Sequence, residues 1–248
     1  MRLFAEISYK GKHYHGWQKQ PNATTVQSDI EKAFNVVLRE SEFNCTGCGR
    51  TDSGVHAKQF YFHFETNENI DLDKLVFKVN TLLPEDIVVH RLIDVPGGSH
   101  TRFDAVSRTY KYYIHQKKNP FLTDISYYNT RKLNLVAMNE ACDCLLNYAD
   151  FTSFSKVNTE TKTNNCDIKK ALWKAEGDSI VFEITANRFL RNMVRAIVGT
   201  MIDVGVGKVT IDQFKKIIEN KDRGSAGTSV PGHGLFLTKV NYPYIKDS

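Results

Sequence analysis

Residues 3–9 alternate, with Leu3, Ala5, Ile7 and Tyr9 on one side, and predict a strand. From Thr24 to Arg39 the period changes. Val26, Ile30, Phe34, Val37 and Leu38 share one helical face, with Thr24 placed to cap it and Gln27 three residues on. Gln59 to Glu65 returns to alternation. Phe60, Phe62 and Phe64 stand against Tyr61, His63 and Glu65, the pattern of a half-buried strand. Asp71 to Leu83 carries Leu72, Leu75, Val76, Val79 and Leu82 at helical spacing, and Ile87 to Val95 reads as a strand. Pro96-Gly97-Gly98-Ser99 is the sharpest break. It sets an expected boundary, with one domain over 1–100 and a second over 101–248.

The second stretch repeats the theme. Thr109 to His115 predicts a strand, and Asn134 to Asn147 a helix with Leu135, Met138, Cys142, Leu145 and Leu146 inward. Lys169 to Glu176 and Ser179 to Ala186 flank the turn Glu176-Gly177-Asp178 as a hairpin. Phe189 to Val204 predicts an apolar helix carrying arginines, Ile211 to Glu219 a short helix, and Leu235 to Asn241 a last strand. Strands and helices alternating in two similar halves predict an α+β protein of two ferredoxin-like halves.

Composition changes this picture little. The 248 residues are 41% hydrophobic and 25% charged, ordinary globular values for a chain able to bury a sizeable core. A net charge of +5 favours an acidic partner only weakly. Clustering says more. Arg102, Arg108, Lys111, Lys117 and Lys118 form one basic group, and Arg188, Arg191 and Arg195 another. Phe103, Tyr110, Tyr112, Tyr113 and Phe189 lie among them, a mixture suited to phosphates and unstacked bases. The plain alternative is a solvated face. Residues 1–6 lack the apolar core of a secretion signal, and no stretch reaches membrane-spanning length, so a cytoplasmic location is expected. Five cysteines, an odd number, fit a reducing compartment. Cys45-x-x-Cys48 has no second Cys or His pair at metal spacing, and Cys142 and Cys144 point to different faces of their predicted helix. Zinc and thiol redox chemistry are therefore not expected.

The candidate chemistry centres on Gly49-Arg50-Thr51-Asp52-Ser53-Gly54-Val55-His56-Ala57-Lys58. One carboxylate, beside an arginine and between two glycines, is positioned directly before a strand. A loop aspartate is ordinarily a turn former. Here the flanking glycines allow a tight loop that presents Asp52 as nucleophile or base. Residues two apart in extended chain point the same way, so Arg50 is expected to face the Asp52 carboxylate and keep it ionised. Tyr110 and Tyr112 share a strand face by the same rule, where aromatic residues are most often core. Arg188, Arg191 and Arg195, at spacings three and four, are expected on one face of their helix. His56 and His233 are read as structural or substrate-contacting.

Gly49 to Ala57 closely resembles the G-R-T-D-A-G-V-H-A motif of the TruA family of tRNA pseudouridine synthases. Further matches follow in order. Tyr14-His15-Gly16-Trp17-Gln18-Lys19-Gln20-Pro21 is similar to the family's F-H-G-W-Q-x-Q-P, and Thr25-Val26-Gln27 to its T-V-Q helix start. Arg102-Phe103-Asp104-Ala105, Arg108-x-Tyr110-x-Tyr112, Asp150 to Phe154, Asn187-x-Phe189-Leu190-x-x-Met193-Val194-Arg195 and Gly234-Leu235-x-Leu237 complete the set. The resemblance implies two ferredoxin-like halves forming one continuous, mostly antiparallel sheet, with flanking helices and a central cleft. It implies conversion of uridine to pseudouridine at positions 38, 39 and 40 of the tRNA anticodon stem-loop, by a homodimer, without cofactor or metal. Asp52 is then the catalytic residue. Tyr110 lies against the target base and Arg195 belongs to the charge network; by their spacing, charge and residue type, Arg50, Arg188, Lys111 and His56 are expected to contact substrate. Cys48 and Ser53 stand where alanine is usual, Cys166 where many members have arginine, and Ser99 where an aromatic is usual. The Cys166 departure puts one RNA contact in doubt. Other readings are a paralogue acting on another RNA uridine and a basic RNA-binding module without catalysis.

Overall fold

A computed structural model describes residues 1–39, 41–66, 70–157 and 162–246. Two compact units emerge, one of Met1–Val106 with Leu237–Ser248, the other of Ser107–Phe236.

In the first unit the chain runs β1 (Arg2–Tyr9), α1 (Val26–Leu38), β2 (Thr46–Gly47), β3 (His56–Glu65), α2 (Leu72–Asn80) and β4 (Ile87–Val95). β1 is central. It pairs antiparallel with β3 on one side and β4 on the other, and β2 adds to β3. Leu3, Phe4, Ala5 and Ile7 are all buried, so the strand is covered on both faces. α1 buries Val26, Ile30 and Phe34, and Phe34 stacks on Phe43 at 4.6 Å between ring centroids. Its cap is Thr25, one residue later than expected. Thr25 accepts from the Ser28 amide while Ser28 Oγ accepts from the Thr25 amide. Gln27, the expected partner, instead accepts the Lys19 amide and donates to Glu31. α2 is capped by Asp71 and ends at Asn80, short of Leu83, with Leu82 exposed ahead of Pro84.

β3 departs from the half-buried pattern, since Tyr61 and His63 are buried as well as Phe60, Phe62 and Phe64. Distant segments cover its second face. The Tyr242 ring meets Tyr61 edge-on at 5.2 Å, and Thr101 Oγ1 lies 2.8 Å from His63 Nδ1.

In the second unit β5 (Ser107–His115) pairs antiparallel with β8 (Ser179–Ala186), and β8 with β7 (Ile168–Glu176) in the expected hairpin. Two-residue β6 (Tyr127–Tyr128) runs parallel to the end of β5. α3 (Leu135–Leu145) buries Met138, Ala141, Cys142 and Leu145, while Leu146 is exposed beyond its end. α4 (Met193–Gly205) is buried almost throughout, and α5 (Ile211–Glu219) buries Phe214 and Ile218. α4 starts later than the sequence suggests. Asn192 takes a left-handed conformation, with φ of 66°, and bonds Ser229 Oγ through its side chain. Phe189 to Asn192 therefore precede the helix. Arg188 and Arg191 do not share a helical face with Arg195. β9 (Leu235–Asn241) returns the chain to the first unit, where it neighbours β3.

The class is α+β, as expected. Among the described residues there are nine strands, mostly antiparallel, and five flanking α-helices. No helix among them is long and apolar enough to cross a membrane.

Candidate active site

The segment from Gly49 to Val55 is irregular, yet its backbone is held at Thr51, Asp52, Gly54 and Val55. On its N-terminal side the Cys48 amide donates to the Tyr61 carbonyl at 2.7 Å. Thr51 is buried, its Oγ1 2.8 Å from Tyr9 Oη, and its carbonyl accepts from the Trp17 amide. The Val55 amide donates to the Asp52 carbonyl at 3.1 Å, closing a turn in which Gly54 has φ of 77°. The Gly54 amide and Ser53 Oγ both donate to the Tyr14 carbonyl. Tyr14 is anchored in turn, its hydroxyl donating to Asp86 at 2.7 Å. Burial, then the Asp86 hydrogen bond, pushes that phenol far above its usual range.

At Gly11 and Gly16 the facing loop of residues 10–17 meets this turn backbone to backbone. A Cβ on Gly11 would meet the Val55 carbonyl oxygen at 1.9 Å, and one on Gly16 the Thr51 carbonyl oxygen at 2.3 Å. His56 serves the same contact. It is buried, and its Nδ1 accepts the Gly11 amide at 3.0 Å, which places the neutral ring's proton on Nε2. Asp52 thus sits half-buried on a backbone that is fixed before and after it. A carboxylate so mounted is preorganised for nucleophilic or base chemistry, because little ordering remains to be done when substrate arrives.

Arg50 does not complete the expected pair. It is exposed and forms no ion pair among the described residues. Alternation of side chains holds for a strand, whereas β2 ends at Gly47 and Arg50 lies in irregular chain, its guanidinium in solvent.

The second unit carries the other candidates. Tyr110 on β5 is half-buried opposite Ile184, and the Phe189 ring meets it edge-on at 5.2 Å and 90°. Tyr112 is core, its hydroxyl donating to the Pro231 carbonyl at 2.9 Å. Lys111 points to the other face of β5. Its ammonium lies 3.4 Å from Glu183, directly opposite on β8, and Glu183 also pairs with Lys170. The Lys170 hydrogen bond, more than Lys111, holds the Glu183 carboxyl below the usual range. Arg188 is half-buried in the connection after β8, its amide donating to Asn187 Oδ1. Arg195, in the first turn of α4, donates through Nε to the Val230 carbonyl at 2.7 Å and accepts the Val230 amide at its own carbonyl. Arg191 is exposed.

All five cysteines are buried, and none is in a disulfide. Cys45 and Cys48 flank β2, and burial pushes the Cys45 thiol up. Tyr9 and Tyr14, which hold the Asp52 loop, enter the sequence reading only as a strand residue and as part of a motif, not as supports of the site. Their only signal was a polar hydroxyl at the end of an apolar strand and in the loop after it.

The family model described as tRNA pseudouridine synthase matches residues 5–104 and 142–243. The chain belongs to that family, as a TruA-type tRNA pseudouridine synthase. The tRNA pseudouridine synthase A of Parabacteroides distasonis is 54% identical over 98% of this chain and 96% of its own. That of Bacteroides fragilis is 50% identical over the same shares. That of Bacillus subtilis is 40% identical over 98% of this chain and 99% of its own.

Proposed function

We propose that the protein isomerises uridine to pseudouridine at positions 38, 39 and 40 of the tRNA anticodon stem-loop, with Asp52 as its catalytic carboxylate. The observation that carries this reading is the Asp52 turn, pinned on both sides while its side chain stays half-exposed. In the reaction the N1–C1′ bond breaks, the base turns, and a C5–C1′ bond forms. The C5 proton leaves and N1 gains one, so atoms balance without a redox partner or cofactor. An ionised Asp52 serves by adding to C1′, as in a retaining glycosidase, or as base in a glycal route. Tyr110 supports the target base. Arg50, Arg188, Arg195, Lys111 and His56 are assigned to substrate contact or its organisation. The enzyme is proposed to act as a cytoplasmic homodimer on tRNA.

The test is to map pseudouridine in tRNA from a strain lacking this gene, with and without the gene restored. Loss and return at 38–40 is expected. Unchanged modification there, with loss at another RNA uridine, overturns the site assignment.

A further inference from the structure

Phe103 is held outward at the end of a row of rings. Phe4 is fully buried; His63 stacks on it at 5.9 Å, His100 meets His63 edge-on at 4.6 Å, and Phe103 packs on His100 at 4.2 Å. The row runs from the core of the first unit to a ring that is 73% exposed. The loop bearing it is locked. His100 Nδ1 accepts the Arg102 and Phe103 amides, the Asp104 carboxylate accepts the His100 amide at 2.8 Å, and Tyr244 donates to Asp104. Tyr242 donates to the Thr101 carbonyl at 2.6 Å. The Arg102 guanidinium stands 5.7 Å from the Phe103 ring centre. Phe77 and Phe121 are also exposed but have no ring neighbour among the described residues. Exposed aromatics are therefore not all alike in this chain. Among the exposed phenylalanines described, Phe103 is the one backed by rings on its inner side, and a cation accompanies it.

From this arrangement we infer that Phe103 is a stacking platform for an unpaired base of the tRNA substrate. Single-stranded RNA is bound by aromatic faces onto which bases stack, with arginine adding cation–π attraction and meeting phosphate. A base laid on Phe103 becomes the next ring of the row, and because the loop is already ordered little conformational freedom is lost on binding. The inference rests on tRNA being the substrate and is independent of which residue performs the chemistry.

The test uses the full chain, an unmodified tRNA transcript and the variants Phe103→Ala, Phe103→Leu and Phe103→Trp. Loss of one base stack weakens affinity about 5- to 150-fold. That loss is expected in filter binding for the Ala and Leu variants, while Phe103→Trp binds like the parent. Trp17 and Trp173 are buried, so the new indole dominates exposed emission and is expected to be quenched as tRNA is added. Parental affinity in Phe103→Leu, or no quenching in Phe103→Trp, overturns the platform. A change of molecular mass in Phe103→Ala by light scattering also overturns it, assigning the ring to a contact between protein copies. A parent that fails to bind tRNA overturns the substrate reading itself, a separate result.

Discussion

Gly16 and Thr51 approach so closely that a side chain on the first would displace the carbonyl of the second. Gly16 has φ of 95°, and its missing Cβ would lie 2.3 Å from the Thr51 oxygen. The contact matters because Thr51 precedes Asp52, and any shift of its carbonyl moves the carboxylate's backbone. Gly16→Ala is expected to cost about 1–3 kcal/mol from the left-handed backbone alone, with the collision adding to it. Turnover should fall at least about tenfold, since small misplacements of a catalytic group are expensive. Urea unfolding and tritium release from C5-labelled tRNA measure the two effects. Gly97→Ala, where a Cβ meets nothing within 4 Å, is the neutral control.

Tyr9 and Thr51 share a buried hydrogen bond of 2.8 Å. Tyr9→Phe leaves the Thr51 hydroxyl without that partner and should destabilise by about 1–3 kcal/mol. Adding Thr51→Val removes the orphaned group, so the double variant should lose less than the two singles summed. Strict additivity in urea denaturation would mean that the bond contributes nothing specific.

Much of this architecture was legible because periodicity is local. β4, β9 and the β7–β8 hairpin fall where alternation and turn residues put them. The misreadings have a common cause, since each depends on residues far away or on backbone geometry. Phe189 and Leu190 look as helical as Met193, and only the left-handed Asn192 separates them from α4. The covering of Tyr61 and His63 comes from residues 101 and 242. At the candidate site, the motif pointed to Asp52, but the tyrosines and glycines that pin its loop come from β1 and the segment after it. The Lys111–Glu183 pair required a strand register that no sequence window contains.

His63 gives a pH dependence of known sign. Burial first, then nearby His100 and Arg2, pushes its imidazole down to about 4 from an ordinary 6.5, against Glu65 and Asp104. Between those values the unfolded chain binds a proton that the folded one refuses, so stability rises with pH there. Its contribution is complete above about pH 6.5 and is lost as pH falls towards about 4. Urea midpoints for the parent should decline over this range more steeply than those of His63→Gln. Parallel curves would show that other groups set the acid limb.

Arg188 and Lys111 should differ in salt dependence. If Arg188 meets a phosphate, Arg188→Ala lowers the log–log salt slope of tRNA binding by about 0.7, the value for a single-stranded contact. Lys111 already faces Glu183, so Lys111→Ala should lower the slope less. Equal reductions would show that tRNA draws Lys111 away from its carboxylate.

Asp52→Asn decides whether the pinned turn is a catalytic device. The substitution keeps the side chain's size and removes its charge, and the bonds described at Thr51, the Asp52 carbonyl, Ser53, Gly54 and His56 do not use the carboxylate. The fold should therefore survive, as judged by an unchanged urea midpoint. An amide cannot act as carboxylate nucleophile or base, and removing a central catalytic group commonly costs about 10⁴-fold or more in rate. tRNA affinity rests mainly on phosphate contacts, so it should hold or rise slightly as one negative charge leaves the site. The expected result is tight tRNA binding by filter titration with no detectable tritium release on the same preparation. Parental turnover in Asp52→Asn would make the turn a structural loop and move the chemistry to another residue.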